Sequence, residues 1–79
     1  MLVNPWATTK VIGRSPGCDV VLTNDSVSRR HAMLVREGAR YVLTDLGSTN
    51  ATYLNGRRVT QAEVVPGDEL QLGEARLTL

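Results

Sequence analysis

The sequence predicts an all-β protein, an antiparallel β-sandwich, and three observations support that prediction. Its apolar residues come in short β-branched and aliphatic runs, and helical periodicity is almost absent. Turn residues separate these runs at short intervals, so that seven or eight short strands fit into the 79 residues. Because the chain contains no Phe and a single Trp, the core is expected to consist of Val, Leu, Ile and Ala.

Four strands are predicted in the first half of the chain, each bounded by turn or loop residues. The first ends at Gly13-Arg14, and the turn Ser15-Pro16-Gly17 leads into the second. A polar loop at 23–26 precedes two strands that are joined through Glu37-Gly38. The four strands cover residues 10–12, 19–22, 31–36 and 40–45.

Four more strands are predicted in the second half, after a polar loop at 46–50. Asn55-Gly56 lies between two of them and is the strongest short signal for a β-hairpin, through a type I′ turn. Pro66-Gly67-Asp68 and Gly73-Glu74 are further turns. We therefore expect one domain over residues 1–79, in which rigid sheets present the polar loops for binding. The four strands cover residues 52–54, 57–59, 69–72 and 75–79.

The charge of the chain is small but unevenly distributed. The net charge is +1, yet residues 29–58 carry +4 and residues 59–79 carry −3. Eight of the nine basic residues are arginine, the side chain whose fork matches an oxyanion. A duplex-binding surface usually makes the whole domain strongly basic, and single-strand binding needs aromatic platforms that are scarce here. The pattern favours a local anion site, and we do not expect nucleic-acid binding.

Composition also bears on the cellular compartment of the protein and on whether it needs a metal or cofactor. No apolar run approaches the roughly 20 residues of a membrane span, and the start MLVNPWATTK lacks the pattern of a signal peptide. The single cysteine, Cys18, has no partner within the chain for a disulfide, which fits a reducing compartment. We expect a cytoplasmic protein. One His and one Cys do not suffice for a metal site, and no cofactor is expected.

The segment DSVSRRHA at 25–32 brings together groups that suit an anion. Ser28, Arg29, Arg30 and His31 place a hydroxyl, two guanidinium groups and the only histidine on consecutive positions. Neighbours on an extended segment point to opposite sides, so at most one of the two arginines reaches a shared ligand. We favour Arg29 and interpret Arg30 as a surface residue.

Five spaced motifs resemble one known family. They are IGRSPGCDVVL, DSVSRRHAML, YVLTDLGSTN, YLNGRRV and PGDELQLG, which follow one another between Ile12 and Gly73, and the resemblance runs from Ile12 to Leu79. In this order they are similar to the forkhead-associated (FHA) domain, a module that binds phosphothreonine peptides. The resemblance implies a β-sandwich whose binding site lies on the loops at one end.

The resemblance also implies a role for individual residues. Arg14 matches the arginine that pairs with the phosphate, and His31 matches a histidine that braces the loops without touching the ligand. Asn50 matches the residue that contacts the peptide backbone, and Gly13 supports the site beside Arg14. The residues expected to contact the phosphate are Arg14, Ser28, Arg29 and Thr49.

The sequence thus favours a binding module and not an enzyme. A phosphothreonine carries about −1.5 to −2 charges at pH 7 and three strong acceptor oxygens, which arginine, hydroxyl and amide donors satisfy. The expected partner is a phosphothreonine-containing protein, either the substrate of a Ser/Thr kinase or the kinase itself.

Two alternatives stay open at this point. The first is a degenerate FHA domain that is used for phosphate-independent assembly or oligomerisation. The second is a hydrolase, because Ser28, His31 and Asp45 are the ingredients of a catalytic triad. No nucleophile elbow or glycine-rich oxyanion motif accompanies them, which disfavours catalysis.

The chain departs from the family pattern at two places. Where the family has glycine after the asparagine of its loop, this sequence has Ala51; if that position needs a positive φ, alanine would cost about 1 kcal/mol or shift Asn50. At the front, only eleven residues precede Ile12. Leu2-Val3 offers a stub of strand, so we expect a minimal or N-terminally shortened domain, or a piece of a longer protein. The sheet edge exposed there predicts pairing into a homodimer.

Overall fold

Nine β-strands make up the regular structure of residues 7–79, the part of the chain that the computed structural model describes. The predicted strand at Leu2-Val3 lies outside the described residues. The strands are β1 (Ala7–Gly13), β2 (Val20–Val21), β3 (Ala32–Glu37), β4 (Arg40–Asp45), β5 (Thr52–Leu54), β6 (Arg57–Val59), β7 (Gln61–Val64), β8 (Glu69–Leu72) and β9 (Ala75–Thr78).

These strands form two sheets, and the predicted β-sandwich is confirmed. One sheet has the order β2-β1-β3-β4-β7 and the other the order β6-β5-β8-β9. All pairs are antiparallel except β1 and β2, which run parallel over two residues, with Ile12 beside Val20. The two sheets place the loops after β1, before β3 and after β4 at one end.

The structure differs from the predicted strands chiefly at β1, β2 and β7. β1 covers Ala7–Gly13, whereas residues 10–12 were predicted. β2 is half as long as predicted, since the side chain of Asp19 accepts a hydrogen bond from the Val11 N–H (2.8 Å) just before it. β7 was not predicted, because Thr60 alone separates it from β6 and no turn signal marks the boundary. Residues 61–64 nevertheless alternate between exposed and covered side chains, as a strand with one face toward the core does.

Among residues 7–79, the fully buried members of the apolar core between the sheets are all aliphatic, in line with the composition. Leu43 and Leu72 are fully buried, and Leu70 and Val64 are almost so. Strand periodicity explains their positions, because Leu70 and Leu72 are two residues apart on one face of β8. The buried cluster is completed by Ile12 and Ala32 at the end of the sandwich that carries the three loops.

The predicted type I′ turn is confirmed at Asn55-Gly56, where φ is 49° and 84°. The Asn55 side chain ties this hairpin to β8: its amide donates to Asp68 (3.0 Å) and its oxygen accepts from the Glu69 N–H (2.9 Å). The bond from Asn55 and one from the Val65 N–H lower the pKa of Asp68. Arg57 and Arg58 extend from the hairpin into solvent.

β2 and β7 lie at the margins of the larger sheet, and within residues 7–79 each has one unpaired side. β2 covers only Ile12 and Gly13 of β1, so the earlier part of β1 also has an open side among the described residues. Homodimer formation through such an edge stays a prediction. Residues 7–79 contain no helix that could span a membrane.

Removing the centre of the core tests the packing of the two sheets. Leu43→Ala leaves a cavity around a side chain that is 0% exposed, and we expect a loss of about 2–5 kcal/mol in the free energy of unfolding. The control Val65→Ala changes a side chain that is 56% exposed, and its effect should stay within about 0.5 kcal/mol. Urea denaturation measures both. Equal effects of the two substitutions would contradict this placement of the core.

Candidate anion-binding site at the loop end of the sandwich

Three loops meet at one end of the sandwich through direct hydrogen bonds. The Arg14 N–H donates to the Ser28 carbonyl (3.0 Å), which joins the loop after β1 to the loop before β3. The Thr49 N–H donates to the Ser28 hydroxyl oxygen (3.1 Å), which joins the same loop to the one after β4. Ser28 is therefore the meeting point of the three predicted loops.

His31 holds two of these loops together from inside. Its side chain is fully buried. Nδ1 accepts the Ser28 backbone N–H (3.0 Å), so the ring proton must lie on Nε2, which donates to the Ala51 carbonyl (2.8 Å). The tautomer follows from these two partners. His31 thus fixes the spacing between the Ser28 loop and the Ala51 loop.

The three residues of the hydrolase alternative do not form a catalytic triad. Both ring nitrogens of His31 are engaged by backbone groups, so neither is free to take a proton from the Ser28 hydroxyl. The Asp45 carboxylate binds the hydroxyls of Ser48 and Thr52 and not the imidazole. The geometry gives each of these residues a positioning role.

Asp45 organises the loop after β4. One oxygen accepts from the hydroxyls of Ser48 and Thr52 (2.7 Å to the latter), and the other accepts from the Gly47 N–H (3.0 Å) and the Ser48 N–H (3.1 Å). Burial alone would raise the pKa of Asp45, but these hydrogen bonds outweigh it and lower the pKa. Sequence reasoning considered Asp45 only as a triad member and missed this role.

Arg14 is positioned with its charged end free. Its Nε donates to the Val27 carbonyl (3.0 Å), and within residues 7–79 its two terminal nitrogens have no partner. Gly13 makes this placement possible, because a Cβ at that position would collide with the Arg29 carbonyl. Glycine is therefore required beside Arg14 for a close approach of two backbone segments.

Arg29 and Arg30 lie in a turn before β3, so the extended geometry expected for this segment is not observed. The Arg29 carbonyl accepts from the Ser15 N–H and the Cys18 thiol (both 3.1 Å), which anchors the loop after β1. Arg30 instead lines a cavity of about 340 Å³ beside Cys18 and Asp19. Both guanidinium groups are exposed, and contact of Arg29 with a phosphate stays a prediction.

Thr49 and Asn50 are exposed at the tip of the loop after β4. The Asn50 side-chain amide donates to the Ser26 carbonyl (2.9 Å), so its orientation is fixed and its oxygen stays available. Ala51 has φ of 68°, the conformation for which the family uses glycine. The positive φ considered from the sequence is therefore present, and Asn50 is nevertheless held in place by Ser26.

A fourth segment that the sequence did not associate with the site also reaches it. The turn between β8 and β9 approaches the loop before β3 so closely that a Cβ on Gly73 would collide with Ser26. The Ser26 hydroxyl oxygen accepts from the Glu74 N–H (2.7 Å) and donates its proton to Asn24 (2.6 Å). Nothing in the sequence pairs these segments, since a glycine in a hairpin turn has a local explanation of its own.

The sequence model of the FHA domain matches residues 10–73, so the chain belongs to the FHA family, and the resemblance drawn from its motifs is confirmed. It is similar to the glycogen accumulation regulator GarA of Mycolicibacterium smegmatis, with 44% identity over 87% of this chain and 44% of the relative. It is also similar to the oxoglutarate dehydrogenase inhibitor of Corynebacterium jeikeium, with 42% identity over 87% of this chain and 48% of that protein. The chain spans less than half the length of these relatives.

Solved structures support the same assignment. An FHA domain from a structural and functional study of phosphothreonine-dependent FHA domain interactions matches with a TM-score of 0.86 and 33% identity, over 89% of this chain and 73% of that chain. EmbR of Mycobacterium tuberculosis in complex with a low-affinity phosphopeptide matches with a TM-score of 0.84 and 32% identity, over 89% of this chain and 19% of that chain.

Substitutions at Ala51 test the conformation of the loop. Ala51→Gly relieves about 1–2 kcal/mol of strain from the left-handed conformation. The lost burial of the methyl group and the greater entropy of the unfolded chain offset part of this, so the free energy of unfolding should rise by up to about 1 kcal/mol. Ala51→Val should lose more than about 1 kcal/mol, because a β-branched residue fits this conformation poorly. Urea denaturation measures both. A valine variant as stable as the wild type would contradict the positive φ.

Acid unfolding tests the role of Asp45. Its pKa is lowered in the folded state, so its contribution to stability is complete above the ordinary value of 3.8 and is lost as pH falls through the lower folded value. Asp45→Asn should be less stable than wild type at neutral pH, and the gap should narrow below about pH 4. Denaturation curves across this pH range measure the difference in stability between the two proteins. The pKa of Asp68 is also lowered, but Asp68 is present in both proteins, so its contribution cancels in the difference. A gap independent of pH would contradict the assignment.

Proposed function

We propose that this domain binds a segment of a partner protein that contains phosphothreonine. The observation that carries the proposal is the free end of Arg14, held next to Ser28 by a backbone bond of 3.0 Å while Ser28 contacts Thr49. A cation, a hydroxyl and a loop tip are thus held together before any ligand arrives. Similarity to FHA structures studied for phosphothreonine-dependent interactions supports the same conclusion.

The chemistry of the phosphate fits these donors. The two terminal nitrogens of Arg14 can form a charge-assisted pair with two phosphate oxygens. The Ser28 hydroxyl oxygen accepts the Thr49 N–H, which leaves its proton to donate to the ligand. Arg29 and the Thr49 hydroxyl supply further donors for the third oxygen. Asn50 then contacts the backbone of the peptide.

The proposal describes a binding module without catalysis of its own. Relatives that are named a regulator and an inhibitor support a role in controlling other proteins. The modification that creates the ligand needs a Ser/Thr kinase, so the partner is the substrate of such a kinase or the kinase itself. The domain then acts in the cytoplasm, in keeping with its single unpaired thiol, Cys18.

Loss of the guanidinium group at position 14 tests the proposal. Hydrogen bonds to charged groups are each worth about 1.5–3 kcal/mol, so Arg14→Ala should weaken binding of a phosphothreonine peptide roughly ten- to a hundredfold. Fluorescence polarisation with labelled peptides from a degenerate library measures this, and the unphosphorylated library should not bind. The control Arg57→Ala removes an exposed arginine at the far hairpin and should bind as the wild type does.

The rival function gives a different result in the same experiment. A degenerate FHA domain used for assembly would bind phosphorylated and unphosphorylated peptides equally weakly, with or without Arg14. That outcome would overturn the proposal.

A further inference from the structure

A pocket of about 310 Å³ adjoins the proposed phosphate site on the side of Asn50. It lies between the loop tip after β4 and the turn from β8 to β9, and its floor includes the outer face of the smaller sheet. The lining residues are Ser26, Asn50, Tyr53, Gln71, Gly73 and Glu74. Because Asn50 belongs to both sites, a peptide that contacts it also passes this pocket.

The walls of the pocket are fixed by hydrogen bonds. The Glu74 N–H donates to the Ser26 hydroxyl (2.7 Å), and the backbone of Gly73 lies directly against Ser26. The Asn50 amide donates to the Ser26 carbonyl (2.9 Å) across the opening between the two loops. A peptide therefore meets a preformed pocket, with little cost for ordering its walls.

The internal bonds of the pocket use part of its N–H and O–H donors and leave its side-chain amide oxygens free to accept. The amide nitrogen of Gln71 donates to the Gly73 carbonyl (3.0 Å), as that of Asn50 does to the Ser26 carbonyl. A carbonyl only accepts, so the orientation of both amides is settled: both amide oxygens remain available, and each amide nitrogen keeps one further N–H. The Ser26 hydroxyl gives its proton to Asn24. The polar groups of the pocket are thus mainly acceptors.

Glu74 adds the only formal charge among the lining residues. Its carboxylate is exposed and has no ion-pair partner in the described part of the chain. Two arginines share the outer face of the smaller sheet, Arg58 beside Tyr53 and Arg76 beside Gln71. Arg76 is drawn to Glu69, with Nε 3.9 Å from its carboxylate, and neither arginine lines the pocket.

We infer that this pocket selects a partner that carries a lysine or arginine close to its phosphothreonine. A basic side chain brings several N–H donors and a positive charge to a site that offers free acceptor oxygens and the Glu74 carboxylate. The same acceptors disfavour an aspartate or glutamate in this place. The inference rests on the proposed function and names the chemistry of the segment that the site takes.

The expected preference is modest because Glu74 is exposed. Ion pairs at such positions are weak, and charge complementarity acts chiefly on the choice of partner. A basic residue at the right position should bind roughly three- to fivefold more tightly than alanine. Glutamate there should bind more weakly than alanine.

A positional scan tests the inference. Phosphothreonine peptides carry Lys, Ala or Glu at one position at a time, over about four residues on either side of the phosphothreonine, which is about 13 Å of extended chain on each side. Binding to wild type, Glu74→Gln and Glu74→Lys is measured by fluorescence polarisation. Glu37→Lys, at the opposite end of β3, is the matched control for a charge reversal.

The wild type and the Glu37→Lys control should prefer a peptide with lysine at one position. The Glu74→Gln variant should show no preference at that position, and the Glu74→Lys variant should prefer glutamate there. Binding without a preference, or a preference that Glu74→Lys leaves unchanged, overturns the inference and leaves the proposed function intact. A preference of the wild type for glutamate also overturns it and points to Arg58 and Arg76. If the wild type binds no phosphothreonine peptide, both the inference and the proposed function fail.

Discussion

The loop end of the sandwich depends on the burial of the His31 imidazole. A fully buried ring needs a partner for each nitrogen, and both partners are backbone groups on different loops, Ser28 and Ala51. One rigid ring therefore sets the distance between these loops. The hydroxyl of Ser28 then meets the Thr49 N–H, and the carbonyl of Ser28 meets the Arg14 N–H. The histidine shapes the site without presenting a nitrogen to a ligand.

In the rest of the site, hydrogen bonds to the backbone likewise fix the positions of side chains before a ligand binds. Asp45 accepts three hydrogen bonds from the loop after β4 and one from Thr52 at the start of β5, and Ser26 links the loop before β3 to the turn at Gly73. Even the left-handed conformation of Ala51 is retained, since its carbonyl is the partner of His31. Such order lowers the entropy that binding costs, so a few charge-assisted contacts suffice for a useful affinity.

Much of this architecture could be predicted from the sequence, because its signals are local. Alternating aliphatic runs and the Asn55-Gly56 turn identify eight of the strands, and the spaced motifs identify the family. β7 was missed, since only Thr60 divides it from β6. The approach of Gly73 to Ser26 could not be predicted, because it joins segments far apart in sequence. The hydrogen bonds of Asp45 are local, since all its partners lie within seven residues of it, but no sequence motif shows that one carboxylate accepts from all of them. The sequence correctly predicts Glu74 in a turn, but only the fold places it beside Asn50.

Amide NMR during titration with a phosphothreonine peptide tests the central claim most directly, that the three loops that meet at Ser28 form one phosphate site. The account predicts that resonances of Arg14, Ser28 and Thr49 shift together and saturate with a single affinity, and that the unphosphorylated peptide shifts none of them. Shifts confined to another surface, such as the exposed face of the larger sheet at Met33, would contradict it.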